Sequence, residues 1–287
     1  MNTYRDNINV AIIGLTRGYP DNKSKYDDLL HRNKKIYEHI NSKQSNPYKL
    51  ILFHEGNISL SDQDYIQNNS PENLQFVDIS SLFEKYNYID GYKIMCKFQM
   101  FYLWEYVKDF DYVIRIDEDV FIEKFDVLTV PKMNKKDVDF YFSKLSYESH
   151  LPTNKTLPYF IKNFYNLKNI KFYNHLFPYT NFYISKTNIW QTPRIYELLK
   201  KIAESSEQIE YRWGDLPVLG CVLKLEKLNY KRLNTLYYIH DSHKLFVKSN
   251  ILSPVLDRFN LSRIRYKYPN LYSYAKNIIK KVILSKR

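Results

Sequence analysis

Residues 109–122, which read DFDYVIRIDEDVFI, give the clearest indication of fold and chemistry in this chain. A short apolar run there ends abruptly in three acids, Asp117, Glu118 and Asp119. A buried strand that delivers carboxylates at its C-terminal end is typical of ligand sites in open α/β sheets. Because side chains alternate along an extended backbone, we expect Asp117 and Asp119 on one face and Glu118 on the other.

Such a pair of carboxylates is suited to a divalent cation. Two carboxylates make an incomplete ligand set for Mg²⁺ or Mn²⁺, so substrate phosphates with water or a His would have to complete it. The pattern therefore favours an enzyme that acts on a nucleotide diphosphate. The alternative is a set of solvated acids where a strand meets a turn.

The segments on either side of this stretch alternate between helix and strand, which predicts an α/β fold with a parallel sheet. Apolar runs predict strands, and helical spacing of apolar residues predicts helices. Predicted strands are 10–15, 48–53, 74–79, 139–145, 179–185 and 236–240, and predicted helices are 25–40, 59–67, 92–107, 192–205 and 211–225. Residues 152–175 give no clear pattern. No Gly, Ser or Pro linker divides the chain, so we expect a single domain over residues 1–245 and a tail over 246–287.

Composition narrows the class of protein. The chain has 287 residues, 44% of them hydrophobic, and a net charge of +12 from 43 basic and 31 acidic side chains. This charge favours anionic partners, but its dispersal argues against a nucleic-acid face, and we expect no nucleic-acid partner. Two cysteines are too few for a disulfide scaffold or a structural zinc site. We find no signal peptide and no apolar run of the roughly 18 residues that would span a membrane, and so expect a cytoplasmic or peripherally membrane-associated protein.

The tail carries its own amphipathic pattern. Residues 271–287 place apolar side chains on one helical face and several Lys and Arg around it. Such a helix could lie on an anionic membrane or dock on a partner. It could equally pack on the domain as a solvated terminal helix.

Several motifs, taken in order, resemble a known family. They are Tyr92-x-x-Met95-Cys96-Lys97, the acid-ended strand, Thr180-Asn181-Phe182 and Arg212-Trp213-Gly214-Asp215-x-Pro217-Val218. This order resembles glycosyltransferase family 15, the α-1,2-mannosyltransferases of Golgi glycan synthesis, over about residues 10–243. The resemblance implies a GT-A fold, a Rossmann-like mixed sheet flanked by helices. It would have a nucleotide-sugar half over about residues 1–116 and a metal and acceptor half over residues 117–245.

The resemblance also implies a reaction: transfer of mannose from GDP-mannose, with Mn²⁺ or Mg²⁺ as cofactor and retention at the anomeric carbon, to a hydroxyl of a glycan, glycoprotein or glycolipid. Asp117 and Asp119 match the family's Glu-Pro-Asp metal motif, and His240 matches the His that completes the metal site. His240 could instead be a structural histidine.

The resemblance places other residues around the substrates. Arg17, Tyr92 and Lys97 fall where the family contacts the donor nucleotide, together with Asp117 and Arg212. Lys97 stands where the family usually has Arg, which keeps the charge but weakens planar bidentate contacts. Asn181 and Trp213 are expected on the acceptor side. Trp213 is either a platform for a sugar or a buried anchor of its turn, and Arg212 either touches phosphate or pairs with an acid such as Asp215.

One departure from the family concerns the chemistry. The family has Ser-Asn-Phe-Glu where this chain has Thr180-Asn181-Phe182-Tyr183, so the Glu proposed as nucleophile is replaced by Tyr183. Retention through a covalent intermediate needs a carboxylate below the anomeric carbon, and Tyr serves only if its pKa is lowered. Three explanations remain open: front-face substitution without an enzymic nucleophile, another carboxylate such as Asp215 or Glu210 in its place, or lost activity. In the first case Asp215 would orient or deprotonate the acceptor hydroxyl.

Other classes of protein are also compatible with the acids. Phosphoryl transfer could use the same cation, but the chain lacks a Gly-x-x-x-x-Gly-Lys loop and kinase motifs. A relic of the fold could bind a nucleotide sugar or glycan without turnover, and a glycosyltransferase could use another nucleotide sugar.

Overall fold

The structure is a computed structural model that describes residues 8–20, 22–86, 90–168, 175–241 and 245–248. In these residues the strands are β1 (Val10–Thr16), β2 (Lys49–His54), β3 (Leu74–Asp78), β4 (Tyr112–Ile116), β5 (Val120–Lys124), β6 (Phe140–Phe142), β7 (Leu145–Tyr147), β8 (Leu176–Pro178), β9 (Phe182–Lys186), β10 (Tyr230–Arg232), β11 (Tyr237–His240) and β12 (Leu245–Lys248). The α-helices are α1 (Asp27–His39), α2 (Leu60–Asn68), α3 (Ser80–Lys85), α4 (Gly91–Lys97), α5 (Leu103–Tyr106), α6 (Thr129–Lys135), α7 (Leu151–Tyr165), α8 (Pro193–Glu204), α9 (Ser206–Glu210) and α10 (Asp215–Leu225). Short 3₁₀ turns cover Lys23–Tyr26, Asn41–Lys43 and Asn188–Gln191.

A seven-stranded mixed sheet, within the described part of the chain, organises the fold in the order β10-β6-β9-β4-β1-β2-β3. As predicted, β1, β2 and β3 are parallel neighbours, and β4 lies parallel to β1 on its other side. β9 runs antiparallel to both β4 and β6. The chain thus leaves β1 in one direction through β2 and β3 and returns beside it at β4. Crevices at such switch points, outside the C-terminal ends of the strands, are where open α/β sheets bind ligands.

Apolar side chains cover both faces of this sheet. One core cluster packs α4, α5, α8 and α10 on one face, with Ile94, Leu198 and Val222 among its fully buried members. The other packs α1 and α6 on the opposite face, with Ile36 and Met133 buried. Helices on both faces explain why β1 and β4 are apolar along most of their length.

Most predicted helices and strands are confirmed within a few residues, and three segments differ. The predicted helix 92–107 contains a π-helical turn, Phe98–Tyr102, between α4 and α5. The unassigned residues 152–175 hold most of α7. The predicted helix 211–225 begins only at Asp215, because the residues before it form a turn in which Arg212 has a left-handed backbone with φ 55°.

The last described strand lies at the predicted C-terminal boundary. β12 pairs antiparallel with β11 and ends at Lys248, and the division into a domain over residues 1–245 and a tail stays a prediction. His243 and the predicted amphipathic helix of residues 271–287 lie outside the described residues. In the residues that the structure does describe, no helix is both long and apolar enough to cross a membrane.

Candidate active site

The three acids form a turn between β4 and β5 and do not continue the strand. The Val120 amide donates to the Asp117 carbonyl oxygen at 3.1 Å, which reverses the chain. The predicted alternation of faces is therefore wrong, because alternation requires extended backbone. Each carboxylate meets a different partner: Glu118 accepts a hydrogen bond from Thr16 Oγ1 at 2.7 Å, Asp117 meets Arg115 and Asp119 meets His240.

Arg115 links the acid turn to the start of α10. Its Nε lies 2.8 Å from Asp117 Oδ1, and its Nη1 lies 2.5 Å from Asp215 Oδ2. The guanidinium is almost fully buried, with 4% of the side chain exposed, so water screens these ion pairs little. Burial raises the pKa of Asp117, and the positive charge of Arg115 opposes that shift. The sequence analysis gave Arg115 no role, although an Arg within an apolar strand is a visible signal.

His240 reaches the acids through strand pairing. β11 pairs antiparallel with β5, so that His240 lies opposite Val120, and the Asp241 amide donates to the Asp119 carbonyl oxygen at 2.9 Å. His240 Nε2 then lies 3.1 Å from Asp119 Oδ2. The two residues are 121 positions apart along the chain, and only this ladder brings them together.

The facing atoms of His240 and Asp119 are spaced as two ligands of one divalent cation would be, and also as the two atoms of a direct hydrogen bond would be. Two ligands at right angles, each about 2.1 Å from a metal, are separated by about 3.0 Å, and the two facing atoms are 3.1 Å apart. The third predicted ligand, Asp117, has both carboxylate oxygens turned to Arg115, at 2.8 and 3.4 Å. Across the described ranges, no group of three His, Cys, Asp or Glu residues could hold a metal. Diphosphate oxygens and water would therefore supply the other ligands.

Behind the acid turn lies a second arginine that the sequence analysis did not single out. Arg32 of α1 is fully buried and donates to the Ile116 carbonyl oxygen from Nε and Nη2, at 3.1 and 2.8 Å, and to the Ile13 carbonyl oxygen at 3.2 Å. It thus joins the end of β4 to the middle of β1. Burial lowers the pKa of Arg32 to about 10, so it stays charged at neutral pH. Gly14 makes room for it, because a Cβ there would lie 2.5 Å from Arg32 Nη2.

A cleft of about 330 Å³ opens in front of the acid turn. Its walls come from the end of β1, the start of α1, α4 with its π-helical turn, and the acids, and its lining residues are Leu15, Tyr19, Lys25, Asp28, Leu29, Met95, Gln99, Arg115, Asp117, Glu118 and Asp119. The volume is typical of a small-molecule site. Arg17 is exposed just beyond β1, where its Nε donates to the Tyr19 hydroxyl at 3.1 Å.

Tyr92, Arg212 and Asp215 come together on the other side of Arg115. The Arg212 guanidinium is exposed and lies 4.4 Å from the centre of the Tyr92 ring. Asp215 is buried at the first position of α10, and the Cys96 thiol lies 3.9 Å from its Oδ1. Asp215, one of the acids with which Arg212 could have paired, is thus paired with Arg115.

Three predicted site residues lie apart from this group. Lys97 is buried, and its Nζ donates to the Ala203 carbonyl oxygen at 2.5 Å and sits 4.0 Å from the Tyr86 ring centre. Burial lowers its pKa to about 8. Trp213 is fully buried and donates from Nε1 to Thr156 Oγ1 at 2.8 Å, which is the geometry of an anchor and not of a sugar platform. Glu210 is exposed at the end of α9.

Tyr183 and Asn181 line the inner side of the acid turn. Tyr183 is fully buried in β9 opposite Arg115 and stacks on Phe140 with ring centres 4.9 Å apart. Burial raises the pKa of its phenol, which opposes use as a nucleophile. The Asn181 carbonyl oxygen accepts from the Asp117 amide at 3.1 Å, and its Oδ1 accepts from the Tyr238 hydroxyl at 3.0 Å.

Glu148 is a carboxylate at this site that the sequence analysis missed. It precedes α7 and accepts a hydrogen bond from the His150 amide at 2.6 Å. Its Oε2 is 3.9 Å from where a Cβ on Gly214 would stand, and it interacts electrostatically with Arg212 and Asp215. Burial raises its pKa. No motif marked this residue, because it lies just before the stretch whose structure the sequence left unassigned.

Comparisons with solved structures define the class of fold. The chain superposes on core-mannan synthase A from Aspergillus fumigatus, solved in a Mn/GDP form, with a TM-score of 0.64, 15% identity and coverage of 84% of this chain and 76% of that one. The mannosyltransferase Ktr4p from Saccharomyces cerevisiae gives a TM-score of 0.63 with 16% identity over 81% and 70%. The chain therefore has the GT-A glycosyltransferase fold, as the resemblance implied.

Sequence relatives agree with the motif-based resemblance. The chain is 26% identical over 163 residues to a glycolipid 2-α-mannosyltransferase of S. cerevisiae, covering 49% of this chain and 37% of that protein. It is 25% identical over 171 residues to the O-glycoside α-1,2-mannosyltransferase omh1 of Schizosaccharomyces pombe, covering 53% and 44%. A scan against family models finds no match. The resemblance to the α-1,2-mannosyltransferases of glycosyltransferase family 15 is confirmed, while the alignments span less than half of either relative.

Proposed function

We propose that this protein is a metal-dependent mannosyltransferase that moves mannose from GDP-mannose to a hydroxyl of a glycan, glycoprotein or glycolipid, with retention at the anomeric carbon. The observation that carries this proposal is the cleft between β1, α1 and α4, whose lining includes Asp119, the carboxylate that faces His240. A nucleotide diphosphate needs both a cleft and a cation at its phosphates. The Mn/GDP form of one structural neighbour supports this choice of donor and metal.

Each end of the site has a distinct task in this proposal. Asp119 and His240 would hold Mn²⁺, which supplies charge neutralisation for the departing nucleotide. Arg17 at the rim of the cleft and Lys25 in its wall bring positive charge toward the phosphates. Arg115 fixes Asp117 and Asp215 on either side of itself, and so sets the distance between the metal end and the acceptor end.

Asp215 is the residue that we assign to the acceptor. It is buried and held by Arg115, and its neighbours are Glu148 and the exposed Tyr92 and Arg212, which we take as the mouth of the acceptor site. A carboxylate paired with Arg115 can orient an acceptor hydroxyl and accept a hydrogen bond from it. Asn181 lies closer to the acid turn than to this mouth, so its expected role toward the acceptor stays a proposal.

Buried Tyr183 favours front-face substitution over a covalent intermediate. A double displacement needs an ionised nucleophile below the anomeric carbon, and burial raises the pKa of this phenol. In a front-face reaction the acceptor attacks from the side that the diphosphate leaves, and the leaving phosphate takes the proton. The residues that matter are then those that hold the two substrates, Asp215 above all, and Arg115, which positions Asp215.

The test is a transfer and hydrolysis assay with a panel of nucleotide sugars, each with Mn²⁺ and with EDTA. We expect GDP-mannose to be consumed with Mn²⁺, with the α-linkage preserved in the product as read by NMR of the anomeric proton. If another nucleotide sugar is hydrolysed and GDP-mannose is not, that nucleotide sugar is the donor and the assignment of GDP-mannose is wrong. If no nucleotide sugar is bound or hydrolysed, the transferase proposal is wrong.

Replacement of the family's Glu by Tyr183 also favours a second candidate, a binding protein that keeps the fold without turnover. If the protein only binds its ligand, calorimetry will detect binding of GDP-mannose with Mn²⁺, and the assay will detect neither transfer nor slow hydrolysis. The same panel distinguishes it from the enzyme, because binding and turnover are read separately.

A further inference from the structure

The side chain of Gln99 has a buried hydrogen-bond acceptor that the protein leaves unused. Its exposure is 2%, and among the described residues its Oε1 has no hydrogen-bond partner. Buried polar side chains are almost always satisfied by protein, water or ligand, because an unpaired one costs about 1–3 kcal/mol. Gln99 is also one of the residues that line the cleft in front of the acid turn. The oxygen itself is closed to solvent in this structure, so a ligand in the cleft would meet it after a small rotation of the Gln99 side chain.

The backbone at Gln99 supports a functional role. The residue lies in the π-helical turn Phe98–Tyr102, which interrupts an otherwise α-helical segment. Single π turns inside helices occur frequently at functional sites, because the extra residue widens the helix and redirects side chains. Met95 lines the same cleft four residues earlier, so this face of the helix forms one wall of the cleft.

The neighbours of Gln99 indicate which part of a nucleotide sugar it meets. Arg115 and Asp117 line the same cleft on the side of the acid turn, where the diphosphate would be held. Three residues before Gln99, the Cys96 thiol lies 3.9 Å from Asp215 on the acceptor side. In a transferase the transferred sugar lies between diphosphate and acceptor. An amide oxygen also repels phosphate oxygens and accepts hydrogen bonds from hydroxyls.

We infer that Gln99 determines donor specificity by accepting a hydrogen bond from a hydroxyl of the transferred sugar. This inference rests on the proposed donor, a nucleoside diphosphate sugar. A site built to hydrogen-bond a substrate hydroxyl discriminates strongly against an analogue that lacks it, because the buried acceptor is then left unpaired. Gln99 would thus select the sugar, while the acid turn and the cation bind the diphosphate of any donor.

The experiment compares GDP with GDP-mannose in calorimetry with Mn²⁺, using wild-type protein and Gln99→Met, which keeps the length and flexibility of the side chain. We expect GDP-mannose affinity to fall about tenfold in the variant, as the loss of one buried hydrogen bond implies, and GDP affinity to be unchanged. Gln75→Met is the matched control, since Gln75 is exposed on β3 and away from the cleft. An equal loss for GDP and GDP-mannose would assign Gln99 to the nucleotide and overturn the inference.

Monodeoxy analogues of GDP-mannose provide a second measurement that does not depend on the variant folding. Wild-type protein should bind one of these analogues about tenfold more weakly than GDP-mannose, and Gln99→Met should bind that analogue and GDP-mannose equally. Equal binding of all analogues by the wild type would overturn the inference alone. If the wild type binds neither GDP nor GDP-mannose, the proposed donor is wrong and the inference falls with it.

Discussion

Arg115 is the side chain on which the geometry of the site depends most. It is buried and holds two carboxylates, Asp117 and Asp215, that belong to distant parts of the chain. Removing one partner of a buried ion pair leaves an uncompensated charge and costs several kcal/mol, roughly 3–5. The pairing therefore constrains both ends of the site together. A substitution of Arg115 would lower stability and activity at once, so its effect on activity alone could not be measured. Tests of function are better made on the residues that Arg115 does not hold.

Asp119 offers such a test. We expect Asp119→Asn to lose Mn²⁺-dependent GDP binding, because the amide cannot supply the anionic oxygen that faces His240. The loss should exceed the roughly 10–100-fold that changes in outer-shell partners cause. Calorimetry with and without Mn²⁺ measures it, and Asp64→Asn on the exposed side of α2 is the control. Unchanged Mn²⁺ affinity would remove Asp119 from the ligands.

Tyr183→Phe addresses the mechanism. The phenol is buried and burial raises its pKa, so we expect kcat to stay within about threefold of wild type, a barrier change below about 0.7 kcal/mol. Initial rates of mannose transfer at saturating donor measure this. A loss of several orders of magnitude, with donor affinity unchanged, would instead make the phenol a participant in the reaction.

The buried Lys97 side chain should make the stability of the protein depend on pH. Its pKa is lowered to about 8 in the folded protein by burial, against a model-peptide value near 10.4. Between about pH 8 and pH 10.4, Lys97 is protonated in the unfolded chain but largely neutral in the folded protein, so the free energy of unfolding rises with pH. Below about pH 8 the side chain is charged in both states, and the folded protein bears the full cost of burying that charge. Relative to Lys97→Met, we expect the free energy of unfolding to rise by about 2 kcal/mol between about pH 7 and pH 9.5. Chemical denaturation at each pH measures this. A difference in unfolding free energy between the two proteins that does not change across that pH range would contradict the prediction.

A helix side chain joins the middle of β1 to the end of β4, and this contact sets the position of the acid turn. Arg32 of α1 bonds the carbonyl oxygens of Ile13 and Ile116, and the second of these immediately precedes Asp117. Gly14 leaves the space that the guanidinium occupies. The link between two neighbouring strands and a helix thus holds the turn from behind.

Gly14→Ala tests this link. The new methyl group would stand 2.5 Å from Arg32 Nη2, so the guanidinium or the strand must shift. We expect a loss of about 1–3 kcal/mol in stability, the range for overpacking a well-packed core, together with weaker GDP binding. Gly91→Ala is the control, because nothing lies within 4 Å of a Cβ there and Ala favours the helix it begins. Chemical denaturation measures both variants, and equal stability of the two would contradict a packing role for Gly14.

For the molecule as a whole, the cleft couples ligand binding to global stability. A ligand that binds only the folded state stabilises it by about 2.7 kcal/mol when its concentration is about 100 times its Kd. For a domain of this size we expect Mn²⁺ and GDP together to raise the melting temperature by about 5 °C. EDTA should remove the shift, and Asp119→Asn should not show it. A shift with GDP that persists in EDTA would mean that the nucleotide binds without the cation.

The net charge of +12 is also a property of the whole molecule. It favours approach of an anionic donor but is spread along the sequence, so it attracts phosphates without defining a site. Specific binding depends instead on the few side chains that the fold collects at the switch point between β1 and β4.

Local sequence patterns were sufficient to predict most of the fold. Periodicity and turn residues depend on neighbours along the chain, which is why β1 to β4, α1, α2 and α8 were predicted within a few residues. The acid run and the Arg212–Val218 motif likewise marked the region of the site. The π turn at Gln99 escaped prediction, because an inserted residue leaves the apolar pattern of the helix nearly intact.

The partners of the charged side chains could not be predicted in this way. Asp119 meets His240 through the pairing of β5 with β11, and Asp215 meets Arg115 through the packing of α10 on the sheet. The burial of Lys97 and Trp213 depends equally on which helix covers them. These contacts join residues about 100 positions apart or more, or depend on neighbouring helices, and no local pattern encodes register or packing across such distances. The sequence therefore determined which residues could form a cation site at a strand end, and the tertiary structure determined that Asp119 and His240 face each other while Asp117 is held by Arg115.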